Sequence, residues 1–81
     1  MQERRQFMRR RILKGARILL SGHRAALTCT ARDISDGGVG IAVASPVGVP
    51  DDFDLLFDNE HEPRHCQVKW RSTERIGAAF C

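Results

Sequence analysis

Apolar and polar residues alternate over most of this chain, in short segments that end at turn residues. In AALTCTARDI, residues 25–34, the side chains of Leu27, Cys29 and Ala31 fall on one face and the intervening ones on the other. A period of two is typical of a strand with one buried face. Five further segments read as strands: residues 16–20, 39–44, 53–58, 66–71 and 75–81.

The connections between these segments are short and rich in turn formers, as in SGH, SDGG and NEHEP. A longer loop over residues 45–52 contains two prolines, which do not fit a sheet interior. After residue 11, no segment of ten residues has convincing helical periodicity. The pattern therefore predicts an all-β domain, either a closed antiparallel barrel or a small sandwich, and closure would remove the exposed strand edges.

The size and composition of the chain describe one small folded domain. It has 81 residues, of which 42% are hydrophobic and 28% charged, as expected for a globular rather than a disordered protein. No apolar run is long enough to cross a membrane, and the N-terminus lacks the apolar core of a signal peptide. We expect a cytoplasmic protein that does not bind membranes.

The positive charge is concentrated at the N-terminus. Residues 1–11 contain five arginines and one glutamate, a net charge of +4, while residues 12–81 have a net charge of −1. This asymmetry predicts a basic arm over residues 1–11, followed by a barrel over residues 12–81. It indicates a local anion site rather than a broad basic surface.

The residues that usually carry catalysis or metal binding are scattered. Cys29, Cys66 and Cys81 are far apart and have no zinc-binding spacing to the three histidines, so we expect no metal and no cofactor. The first two cysteines read as small core residues, and Asp51, Asp52 and Asp54 as a solvated acidic edge. With no nucleophile–base pair in the sequence, we expect no enzymatic activity and no catalytic residues.

The arm contains two arginines four residues apart, Arg5 and Arg9. The planar guanidinium group matches phosphate oxygens and the O6/N7 edge of guanine. Two such groups at this spacing can converge on one ligand, whether the arm is helical or bent. The alternative is a solvated tail, or one that only touches nucleic acid.

The second motif is DISDGG, residues 33–38, at the junction of two predicted strands. Asp33 and Ser35 should project to the same side, with Ile34 toward the core. The Asp33 carboxylate can accept the N1–H and N2–H donors of guanine, Ser35 can bind a phosphate or a base, and Gly38 permits close approach. The alternative is an ordinary β-turn, since aspartate, serine and glycine favour turns for local reasons.

Together, Arg5-x-x-x-Arg9 and Asp33-x-Ser35-x-x-Gly38 resemble the R-x-x-x-R and D/N-x-S-x-x-G motifs of the PilZ domain, a bacterial receptor domain for cyclic di-GMP. The segments VKWR and RIGAAF are similar to the last two strands of that family, and the resemblance covers nearly the whole chain. It implies a six-stranded antiparallel β-barrel with the arm as a switch loop. Because the chain stops at Cys81, we expect no C-terminal helix.

The resemblance also implies roles for particular residues. Arg5 and Arg9 would clamp the guanine and phosphate of cyclic di-GMP, and Arg4 and Arg10 would add phosphate contacts. In the second motif, Asp33 and Ser35 would hold a guanine, and Gly38 would let the ligand approach. Ligand binding would order the arm and so change the surface presented to a separate partner protein.

Trp70 has two interpretations. The alternation of residues 66–71 places Cys66, Val68 and Trp70 inward, which favours packing in the core or at the barrel mouth. Alternatively, its indole contacts a ligand base, which makes Trp70 a further candidate for the ligand site.

Two other functions stay open at this point. One is a small barrel that binds nucleic acid through its basic arm; the slightly acidic body and the lack of tyrosine argue against it. The other is a PilZ-like barrel that binds only protein.

Overall fold

A computed structural model describes residues 9–20 and 22–81. Arg4, Arg5 and the rest of residues 1–8 therefore lie outside the described part of the chain. The described residues form six strands, with a 3₁₀ turn over Pro46–Gly48 between the third and the fourth. The strands are β1 (Arg10–Leu20), β2 (Ala25–Ile34), β3 (Gly38–Ala42), β4 (Asp52–Phe57), β5 (Arg64–Arg71) and β6 (Arg75–Phe80).

The six strands close into a barrel in the order β1-β2-β3-β6-β5-β4, and every neighbouring pair is antiparallel. The predicted six-stranded antiparallel barrel is thus confirmed, and the sandwich alternative is wrong. Where a strand is paired on both sides, closure removes the hydrogen-bonding edge that an open sheet would expose. Within residues 9–20 and 22–81, there is no helix of the length and apolarity needed to span a membrane.

β1 begins earlier than its apolar pattern indicates. The alternation starts near residue 16, but β1 begins at Arg10 and pairs Arg10 with Ile34 and Arg11 with Asp33. Backbone hydrogen bonds to β2 support this basic segment, and side-chain periodicity does not report them. Arg10 and Arg11, which the sequence analysis placed in the arm, are therefore part of the barrel wall.

The core fills the barrel with the inward side chains of all six strands. As the alternation predicts, Cys29 and Ala31 are buried on β2, and Cys66 is buried on β5. Burial raises the pKa of the Cys29 thiol to about 11 and that of Cys66 to about 12. The largest fully buried side chains are Phe57, Ile18, Ile41, Leu55, Ile76, Val39 and Cys66.

Three register irregularities interrupt the strand pairing, one each on β1, β2 and β5. Those on β2 and β5 change where a functional side chain points. On β2, Ala31 pairs with Ile41 and Asp33 with Gly40, so one extra residue lies between them. On β5, the pairing passes from Val68 to Trp70 with the same irregularity. A bulge turns the following side chain to the other face. The prediction that Trp70 points inward is therefore wrong, and its side chain is 49% exposed.

Candidate functional site

The two sequence motifs meet at the start of β1. The Nη1 atom of Arg9, immediately before β1, donates a hydrogen bond to Oδ1 of Asp33 near the end of β2. The two residues are 24 positions apart, and the antiparallel pairing of β1 with β2 brings them together. Both side chains remain partly exposed, 50% for Arg9 and 27% for Asp33, so a ligand can reach the pair from solvent.

The Asp33 side chain lies where there is room for it only because residue 40 is a glycine. The bulge on β2 directs its carboxylate outward, over Gly40 of the neighbouring strand. A Cβ atom at residue 40 would lie 2.7 Å from Oδ2 of Asp33, too close for a real contact. Gly40 was not among the predicted site residues, although a glycine inside a strand often marks such a close approach.

Ser35 stabilises the turn that follows Asp33. Its Oγ accepts a hydrogen bond from the Gly37 amide at 3.3 Å, and its own amide donates to the Gly38 carbonyl at 2.9 Å. A Cβ atom at residue 38 would collide with the backbone carbonyl of Ala78 on β6. The segment is therefore a real β-turn as well as a candidate site, and Gly38 is needed for the packing of β3 against β6.

Trp70 covers a second glycine on the same outer surface. A Cβ atom at Gly77 would overlap the Nε1 and Cε2 atoms of the indole, so the ring lies directly on the backbone of β6. Beside it is an open hollow of about 430 Å³, here called the tryptophan hollow. Its lining includes Arg9, Ser35, Gly37, Gly38, Lys69, Trp70, Gly77, Ala78, Ala79 and Phe80.

A second hollow, also of about 430 Å³, lies on the other side of the Arg9–Asp33 pair. Of the described residues, five arginines and one aspartate line this arginine hollow, and they make its electrostatic potential strongly positive. Arg9 lines both hollows. The residues of the arginine hollow are Arg9, Arg10, Arg11, Ile12, Leu13, Arg32, Asp33 and Arg75.

A different ionic cluster lies beyond the other end of β1. Asp54 Oδ2 is 2.7 Å from His23 Nε2, and Asp54 Oδ1 is 2.9 Å from His65 Nδ1. The hydrogen bonds from His23 and then from His65 lower the pKa of Asp54, while the hydrogen bond to Asp54 raises that of His65. Asp54 is thus an ion-pair partner rather than part of the solvated acidic edge that the sequence suggested.

The structure assembles most of the predicted ligand residues in one place. Arg9, Ser35, Gly38 and Trp70 line the tryptophan hollow, and Arg10 lines the arginine hollow with Asp33. Arg32 and Arg75 also line the arginine hollow, but they lie outside both motifs, so motif spacing does not identify them. In the part of the chain that the structure describes, no group of histidine, cysteine and carboxylate side chains could hold a metal ion.

Comparisons with known proteins support the barrel fold. The structure is similar to that of the inhibitor of motility MotI/DgrA from Bacillus subtilis, with a TM-score of 0.73 and 15% sequence identity. The match covers 98% of this chain and 43% of that protein, so this chain spans less than half of its length. At this identity the likeness shows a shared fold. No curated protein is similar enough in sequence to count as a match.

The sequence itself supports a closer assignment. The model of the PilZ domain family matches residues 3–81, which include both motifs and all six strands. The resemblance inferred from the two motifs is therefore confirmed, and the chain belongs to the PilZ domain family.

Proposed function

We propose that this chain is a receptor for cyclic di-GMP that signals to a separate partner protein and catalyses no reaction. The main support is the contact between Arg9 and Asp33, which joins the two motifs between two open hollows. PilZ domains form a family of receptors and adaptors, and the ligand and the signal are our proposals for this member.

The tryptophan hollow suits a guanine base. The exposed indole of Trp70 offers a flat surface for stacking, which contributes about 1–3 kcal/mol per base in single-stranded nucleic acid complexes. Asp33 lines the neighbouring arginine hollow, and its partner Arg9 lines both hollows. From there Asp33 would accept the N1–H and N2–H donors of the base, and the Ser35 hydroxyl can add one further hydrogen bond. These interactions together would distinguish guanine from adenine.

The phosphates of the ligand would bind arginines. Arg9 and Arg10 lie at the start of the barrel wall, and Arg4 and Arg5 of the basic arm would complete the set. Charge-assisted hydrogen bonds from guanidinium groups to phosphate are short and strong, and they often form in pairs.

Without ligand, Arg9 and Asp33 neutralise each other. Binding would exchange these partners: Arg9 would turn to a phosphate, and Asp33 would receive the guanine donors. Neither charge would be left unpaired by the exchange, which keeps its cost low. Because Arg9 adjoins the arm, the same exchange would order residues 1–8 against the barrel and alter the surface seen by a partner.

The ligand proposal requires no metal ion and no cofactor. We place the protein in the cytoplasm, where a soluble nucleotide messenger would reach it. Which partner protein responds, and in what process, depends on the surface that the arm creates.

The test is isothermal titration of cyclic di-GMP into the purified protein at physiological salt, with GTP as the control ligand. Arg9→Ala and Asp33→Ala should each weaken binding by about ten- to a hundredfold, because each removes charge-assisted hydrogen bonds. Arg17→Ala and Asp36→Ala are matched controls, since both residues are exposed and line neither hollow.

Saturable binding that the two motif variants lose and the two controls keep would establish the site. The absence of binding by the unmodified protein would leave a PilZ barrel that acts through protein contacts alone. Steeply salt-dependent binding of RNA would instead support the nucleic-acid alternative.

A further inference from the structure

The arginine hollow contains more positive charge than the proposed nucleotide contacts use. Arg11, Arg32 and Arg75 lie outside both motifs, yet all three line this hollow. Among residues 9–20 and 22–81, the carboxylates that form ion pairs with arginine contact only Arg9, Arg64 and Arg71. Several like charges held together without counter-ions repel one another, and an anionic partner would relieve that repulsion.

The same place has an open strand edge. β4 closes the barrel by pairing with Ala16–Leu19 of β1, and the Asp58 amide adds one hydrogen bond to the Gly15 carbonyl. The earlier part of β1, residues 10–14, has β2 on one side and no other strand from the described part of the chain on the opposite side. An open edge of this kind can pair with an extended segment of another protein.

An exposed leucine lies between the edge and the positive charges. Leu13 is 78% exposed and lines the arginine hollow, whereas its neighbour Ile12 packs against the core. It occurs where the β1–β2 pairing shifts register between Arg11 and Lys14. An exposed apolar side chain beside a charged surface and an open edge is characteristic of an interaction site.

We propose that this surface binds an extended acidic segment of a partner protein. The backbone of the segment would pair with residues 10–14 of β1 as a seventh strand. Its carboxylates would contact Arg11, Arg32 and Arg75, and an apolar side chain would cover Leu13. This inference goes beyond the proposed function and does not require nucleotide to be bound.

Charge complementarity selects this occupant over a second copy of the chain. A two-fold pairing of β1 edges would place Arg10, Arg11 and Lys14 of one copy against the same basic residues of the other. Like charges directly opposite each other on paired strands are destabilising. A single-stranded nucleic acid would supply negative charge but no backbone amides to extend the sheet.

The probe is a short fluorescein-labelled peptide of alternating glutamate and valine, and its binding to the full chain is measured by fluorescence anisotropy. Three comparison probes separate the contributions. One has glutamine in place of glutamate, one has methyl groups on alternate backbone amides, and one is a thymidine oligonucleotide of similar length. We expect the acidic peptide to bind and both altered peptides to bind at least about tenfold more weakly, because each lacks one class of hydrogen bond.

The variants locate the contact on the protein. Arg32→Ala and Arg75→Ala should each weaken binding of the acidic peptide by about tenfold, and Leu13→Ser should weaken it by about threefold. Arg32→Gln repeats the first test with a longer side chain, and circular dichroism verifies that each variant folds. Arg17→Ala, on the closed part of β1, should have no effect.

Three results would overturn the proposal. Equal binding of the N-methylated peptide would show that the strand edge is not used. Tighter binding of the oligonucleotide than of the peptide would make the hollow a phosphate site. No binding of the acidic peptide, or a loss in Arg17→Ala equal to that in Arg32→Ala, would show that the hollow does not recognise the segment specifically. None of these results depends on cyclic di-GMP, so failure here is distinct from failure of the receptor proposal.

Discussion

β1 has an ionic cluster at each end, and the two clusters differ in how their charges balance. Beyond its last residue, Asp54 is shared by His23 and His65, so each histidine has a carboxylate within hydrogen-bonding distance. At its start, among residues 9–20 and 22–81, five arginines line a hollow with Asp33 as the one carboxylate. The balanced cluster joins three parts of the chain and suits a structural role. The unbalanced cluster attracts anions, which is why we place both proposed binding sites there.

The backbone beneath the two clusters differs as well. Near the far cluster, β1 and β4 pair in unbroken register from Ala16–Leu19 to Asp54–Phe57. At the site, Asp33 and Trp70 each follow a bulge and lie on a glycine of the next strand. A bulge and a facing glycine together bring a large polar or aromatic side chain onto the outer surface of a barrel.

The largest expected effect concerns the glycine support of the site. Gly38→Ala should lower the free energy of unfolding by about 2 kcal/mol, because the added methyl group would collide with the Ala78 carbonyl and separate β3 from β6. Urea denaturation measures the change. Gly48→Ala is the matched control, since a Cβ atom there meets only Ser45 Oγ, at 4.0 Å. Equal stability of the two variants would contradict the close packing of β3 against β6.

A second change separates binding from folding. Gly77→Ala should displace the indole of Trp70 from β6. The affinity for cyclic di-GMP should then fall by about tenfold, the loss expected for one stacked base. Titration calorimetry measures the affinity of Gly77→Ala, Trp70→Ala and the double variant for cyclic di-GMP. The double variant should bind no more weakly than Trp70→Ala, since both changes remove the same contact. Additive losses would show that Gly77 acts independently of Trp70.

The Arg9–Asp33 pair should matter much more for binding than for stability. Both side chains are partly exposed, so Asp33→Ala should change the free energy of unfolding by no more than about 1 kcal/mol. Urea denaturation of the same preparation used for the titration provides the comparison. A large loss of stability would mean that the pair is structural, like the cluster at the other end of β1.

The smallest effect is a dependence of stability on pH that only the far cluster should show. The lowered pKa of Asp54 stabilises the fold at pH values above 3.8, the usual pKa of aspartate. This stabilisation is lost as the pH falls through the pKa of Asp54 in the folded protein. The raised pKa of His65 stabilises the fold at pH values below 6.5, the usual pKa of histidine. This stabilisation is lost as the pH rises through the pKa of His65 in the folded protein. The cluster should therefore stabilise the fold most between these two values.

Thermal melts of the wild type and of Asp54→Asn, in buffers from about pH 5 to about pH 8, measure this effect. The difference in Tm between the two proteins should be larger in the acidic buffers and should shrink as the pH rises. The matched variant Asp33→Asn should show no such trend, because the arginine that faces Asp33 stays charged throughout. The same trend in both variants would remove the distinction between the clusters.

Much of this fold could be predicted from residues close together in sequence. Alternation located all six strands, and Cys29 and Cys66 are buried as it indicated. The motifs identified Arg9 and Asp33, which the fold brings into contact. The side of the barrel on which Trp70 lies was predicted incorrectly, because alternation assumes that no residue is inserted between Val68 and Trp70.

The start of β1 and the second half of the site also needed the structure. Arg10 and Arg11 belong to a strand because β2 lies beside them, although neither is apolar. Arg32 and Arg75 are far apart in sequence and belong to no motif, so only the closing of the barrel brings them to one hollow. A glycine within a strand signals a close approach, but the side chains that lie over Gly40 and Gly77 are identified only by the structure.

The sequence by itself determined that this chain forms short antiparallel strands and contains both motifs of its family. Periodicity, turn residues and motif spacing are local properties, so they can be read without knowing which strands become neighbours. Tertiary structure decided the register between strands, and register sets where the bulges before Asp33 and Trp70 occur. It thereby placed Asp33 beside Arg9, turned Trp70 outward and gathered the five arginines, because each of these positions depends on contacts between segments that are distant along the chain.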